Sequence, residues 1–148
     1  MNPAVFAAAL ALAVPSSQRL VAPAVPPSSE VFGGRVVLAA DATAEEAALY
    51  GAALSAILKT PTGRSLAEAF GDVPGAPVTV RFEDLERVGG KAVTEDGKDA
   101  VVLSRAPMSW KREWAVLRYA ELLAHELLGH MLSSRRARAQ GVAWEHSA

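Results

Sequence analysis

Three side chains near the C-terminal end carry the chemistry this sequence offers: His125, Glu126 and His130, in the run His125-Glu126-Leu127-Leu128-Gly129-His130. Two imidazoles can hold a divalent metal, and a carboxylate between them can act as a general base. The surrounding stretch, Trp114 to Leu132, reads as a long apolar helix. The spacing is the difficulty. Helical metal sites use H-E-x-x-H, because residues four apart share a face. Five residues of α-helix turn about 500°, which points the two rings roughly 140° apart. Zinc needs both nitrogens at about 2.0–2.1 Å. A straight α-helix therefore cannot unite them, but a π-turn makes residues i and i+5 neighbours. The expectation is a bulge near Leu127–Gly129, eased by Gly129, with His125 and His130 on one zinc ion. Glu126 would take a proton from the zinc-bound water and pass it to the leaving amine.

A catalytic zinc ordinarily has three protein ligands. The chain has no cysteine and only three histidines, so the third ligand comes from His, Asp or Glu. Glu145 is the candidate, by analogy with sites of two histidines and one glutamate, and His146 is its rival. Both follow the break at Gln140-Gly141. Glu121, one turn before His125, is either an orienting partner for that ring or a plain surface glutamate. Trp110 and Trp114 read as core. Arg135, Arg136 and Arg138 read as cations at a helix C-terminus.

The elements that must position these residues follow from pattern. The chain has 148 residues, 51% of them hydrophobic, and a net charge of −1. That suffices for one domain with a real core. It selects neither a nucleic acid nor a membrane surface. Residues 4–14, AVFAAALALAV, are too short to span a bilayer and resemble an export signal. Residues 15–29 continue as a Pro/Ser-rich linker, and the domain is placed at residues 30–148. The expected location is secreted or periplasmic, with the cytoplasm as the alternative.

Strands are expected at Arg35–Ala40, Val78–Phe82, Lys91–Thr94 and Ala100–Ser104. Helices are expected at Asp41–Lys59, opened by a Thr43/Glu46 capping box, and at Arg64–Phe70 after a break at 60–63. The class predicted is α+β, with a small, mainly antiparallel sheet against helices and a long C-terminal motif helix. Ala100–Ser104, if it formed a sheet edge, would hold an extended peptide.

The hexapeptide HELLGH resembles the zinc motif of the dipeptidyl peptidase III family, over six residues. That resemblance implies His125 and His130 as ligands and Glu126 as catalytic. The family's later acidic motif, E-E-x-R-A-D, is absent. The run Thr60–Leu66, the strand Val78–Phe82 and Leu123-Ala124-His125-Glu126-Leu127 together resemble small bacterial zinc metallopeptidase domains of the effector and toxin type. Those carry H-E-L-x-H, so one residue here is inserted at Leu127 or Leu128. Both resemblances imply a zincin-like peptidase with a peptide or protein substrate. The alternative is a degenerate, non-catalytic module that keeps the fold for binding or inhibition.

Overall fold

The computed structural model describes residues 32–87 and 89–144. The leader at 1–29, Glu145 and His146 lie outside the described residues. Strand β1 spans Val36–Leu38, and helix α1 spans Ala44–Leu58. Thr43 caps α1: its hydroxyl accepts from the Glu46 backbone N–H, and the Thr43 N–H donates to the Glu46 carboxylate at 2.8 Å. The expected capping box is therefore present. Helix α2 runs Pro61–Asp72 and is longer than expected at both ends. Thr60-Pro61, read as a break, is the start signal: Thr60 Oγ1 accepts from the Gly63 N–H, and Pro61 takes a first-turn position where no N–H is needed.

Strands β2 (Val78–Glu83), β3 (Gly90–Glu95) and β4 (Lys98–Ser104) complete one sheet in the order β1-β2-β4-β3. β1 pairs parallel with β2, and β2 pairs parallel with β4; only β3 and β4 are antiparallel. The α+β class stands, but the sheet is mostly parallel where a mainly antiparallel one was expected. The reason lies in two connections. The α1–α2 segment is a crossover long enough to return the chain in the same direction. The chain then leaves β2 for the outer edge, and β4 returns between β2 and β3. Its residues Asp99–Ser104 are all buried, as a central strand requires. β2 alternates as expected, with Val78, Val80 and Phe82 inward. The β3–β4 turn is tight, with positive φ at both Asp96 and Gly97, the conformation two-residue hairpin loops select.

After a short 3₁₀ turn at Ala106–Ser109, one continuous helical rod occupies residues 112–139. It has three parts: α3 (Arg112–Leu123), a π-helical segment (Ala124–Met131) and α4 (Leu132–Ala139). Its apolar side joins a core built from α1, α2 and the sheet, with edge-on ring pairs Phe32–Phe70 and Phe82–Tyr119. The Tyr119 hydroxyl donates to the Ser104 carbonyl at 2.8 Å. Burial, followed by the charges of Glu46 and Glu45, pushes this phenol up to about 12, so it stays a donor.

Trp110 and Trp114 are not core: they are 43% and 60% exposed. Trp110 precedes the helix, and Trp114 lies on the face of α3 opposite buried Ala115 and Tyr119. Arg135 and Arg138 also differ from expectation. Their guanidiniums converge on Asp99 of β4, at 2.9 and 2.6 Å, so they tie α4 to the sheet rather than serve the helix end. No helix among the described residues is long and apolar enough to cross a membrane.

Candidate metal centre

The five-residue spacing is accommodated by the coil itself. Residues 124–131 are π-helical, and the Leu132 N–H reaches the Leu127 carbonyl, five residues back. The distortion is a segment of eight residues, wider than a bulge confined to Leu127–Gly129. Gly129 does not require it. A Cβ there would meet only the Ala124 carbonyl, at an ordinary 3.8 Å. The apolar pattern accounts for the change better. Leu122 and Leu123 are buried, and the next buried apolar pair is Leu127 and Leu128, five residues on. Keeping both pairs in the core favours a wider turn at this point, because an α-helix would rotate the second pair away.

The consequence is direct. His125 Nε2 and His130 Nε2 stand 2.9 Å apart, with the ring planes nearly perpendicular. Such a gap suits one shared proton, with one ring donating to the other, or one metal ion. Two nitrogens at zinc distance and a tetrahedral angle would be about 3.3–3.4 Å apart. The rings would have to open by about half an ångström, and His125 is exposed. The two rings therefore fit as two of the donors a zinc ion needs.

Glu126 is only 7% exposed. It has no ion-pair or hydrogen-bond partner among the described residues. It lines the same cavity as both rings, of about 540 Å³, which β3 bounds along Gly90–Thr94 and Met131, Ser134 and Trp144 close beyond the rings. Among the described residues β3 is one of the sheet's two edge strands, and it is the strand beside the site, whereas Ala100–Ser104 is central. Its first residue touches the acid: a Cβ on Gly90 would lie 3.1 Å from Glu126 Cγ and 3.2 Å from the Val102 carbonyl. Gly90 thus lets the edge strand close down on the Glu126 stem.

Glu121 does not orient His125. It is bonded to Arg118 at 2.7 Å on the exposed surface. Sequence reasoning missed Gly90 and Trp144. Gly90 was legible only as a turn glycine. Trp144 reaches the site because Gly141 adopts φ +67 and the Val142 N–H returns to the Ala137 carbonyl, which reverses the chain toward the rod. The indole then stands edge-on to His130, centroids 6.0 Å apart.

Among the described residues no group of three His, Cys, Asp or Glu side chains converges as a ligand set. Comparison with protein-family models, with curated proteins and with solved structures returns no match.

Proposed function

We propose that this chain is a small zinc-dependent peptidase that hydrolyses a bond in a peptide or protein substrate. The observation that supports it most is the 2.9 Å approach of His125 Nε2 to His130 Nε2, beside a buried, unpartnered Glu126 on the wall of one cavity. Zinc, when bound, would acidify a water and polarise the scissile carbonyl. His125 and His130 would hold the ion through their deprotonated Nε2 atoms. Glu126 would accept the proton of the attacking water as the new C–O bond forms, then return it to the amine nitrogen as the C–N bond breaks. Its lack of a cation partner leaves both of these transfers open. The outer edge of β3, unpaired among the described residues, would align the substrate backbone by strand addition. Glu145, with His146 as its rival, remains the proposed third ligand.

A second reading is favoured by one observation, the absence of a converging three-residue ligand set among the described residues. In that reading the chain is a non-catalytic binding or inhibitory module of the same fold. Titration with zinc, followed by calorimetry and melting, separates the two. The expected result is one equivalent bound, with affinity falling at least about tenfold in His125→Ala and in His130→Ala. Glu126→Gln should keep the zinc and lose hydrolysis of unfolded casein. Zinc binding with no hydrolysis by the parent would favour the binding module. No zinc bound and no rise in melting temperature would remove the peptidase reading and leave the binding module.

A further inference from the structure

Three large apolar side chains stand exposed within eight residues: Trp110 at 43%, Trp114 at 60% and Leu117 at 57%. Trp110 lies in the connection before α3, and Trp114 and Leu117 share a face of its first two turns. Side chains of this size are ordinarily buried, and a cluster of them outside the core marks a contact surface. Neither described cavity is lined by them, so they do not belong to the candidate metal centre.

Charge accompanies them. Lys111 and Arg112 lie between the two indoles, are exposed, and have no ion-pair partner among the described residues. Glu113 is the single acid interleaved with them, and Arg118 is already paired to Glu121. The uncompensated charge of the stretch is therefore positive.

The shape decides between occupants. A stable protein partner covers about 800 Å² per side and seats its anchors in pockets. Three side chains on one helix start and the connection before it supply neither the area nor a pocket. A lipid surface needs neither. Indoles favour the headgroup layer, where ring and N–H are both satisfied. A leucine beside them can enter the acyl boundary, and Lys and Arg meet anionic headgroups.

We propose that Trp110, Trp114 and Leu117, flanked by Lys111 and Arg112, dock this protein on an anionic lipid surface. The proposal does not depend on zinc or on hydrolysis. His125 lies eleven residues beyond Trp114 on the same rod, about 16 Å along the axis. Docking would therefore hold the cavity close to the lipid.

The test uses the full chain and two sets of vesicles, phosphatidylcholine alone and phosphatidylcholine with one third phosphatidylglycerol. Sedimentation and indole emission are the readouts. The expected result is partition onto the anionic vesicles at least about tenfold above the neutral ones, with a blue shift, weakening as salt is raised. The Trp110→Ala/Trp114→Ala pair and the Lys111→Glu/Arg112→Glu pair should each lower that partition about tenfold, with circular dichroism unchanged. Equal binding to neutral and anionic vesicles would overturn the proposal. So would undiminished binding by the tryptophan pair, which would place the contact elsewhere, including the apolar run at residues 4–14. Dimers seen by light scattering and lost in that pair, without vesicle binding, would make the stripe a contact between copies of this chain and overturn the lipid assignment.

Discussion

Asp99 and Glu126 are both buried acids, 6% and 7% exposed, and the protein treats them in opposite ways. Asp99 accepts from Thr94, Arg135 and Arg138, so both carboxylate oxygens are engaged. Burial alone would raise its carboxyl. The bonds from Arg138, Thr94 and Arg135 outweigh burial and hold it below the usual aspartate value. Glu126 has no such partner among the described residues, yet it lines an open cavity beside two imidazoles. The pairing thus separates a carboxylate that fastens the fold from one left facing a cavity.

Four changes would break or sharpen that contrast, in falling order of effect. Glu126→Gln should lower turnover by about 10²–10⁴, as loss of a general base does, with the melting temperature unchanged or slightly raised. A turnover within a few-fold of the parent would show that Glu126 is not the base. Asp99→Ala should do the reverse. It strands two guanidiniums, one of them buried, and should cost about 3–5 kcal/mol in urea unfolding. A loss under about 1 kcal/mol would reduce the cluster to a surface feature.

The third change is pH. Asp99 and Glu46 both titrate below their usual values in the folded protein; for Glu46, bonds from Arg105 and the Thr43 N–H outweigh burial. A depressed folded pKa contributes stability that is present above the unfolded value, near pH 4, and is lost as pH falls through the folded one. Unfolding free energy should therefore be flat above about pH 5 and decline below about pH 4. Asp99→Asn should decline less steeply; an identical slope would assign the acid sensitivity elsewhere. The smallest effect is expected from Gly90→Ala. A Cβ 3.1 Å from Glu126 Cγ must push the stem or the strand, at about 1–3 kcal/mol in stability, with a fall in turnover but no change in zinc affinity. An unchanged turnover would mean that the Glu126 position tolerates the shift.

What the sequence made legible, and what it did not, follows from where the information is stored. The Thr43 cap, the alternation of β2 and the convergence of His125 with His130 depend on short-range spacing, and each is found where the spacing placed it. The sheet order depends on which strand slips between which others, and no local pattern in β2, β3 or β4 encodes that. One clue was present: Ala100–Leu103 is apolar without alternation, the mark of a strand covered on both faces. Trp110 and Trp114 were misplaced because size alone suggested burial, while the polar residues between them, Lys111, Arg112 and Glu113, already described an exposed turn. Arg135 read as a helix-end cation because its partner lies 36 positions earlier, beyond the reach of helical periodicity.

The widened coil also acts as a phase setting for everything that follows it. Upstream the rod is pinned by Tyr119 on Ser104, and downstream by Arg135 on Asp99. Tightening residues 124–131 into ordinary α-helix would add rotation between those two pins, on the order of 100° in total over the segment. The Arg135 guanidinium would then swing off its carboxylate. The buried ion pair and the meeting of the two rings therefore depend on the same winding, and a tighter coil would break both at once.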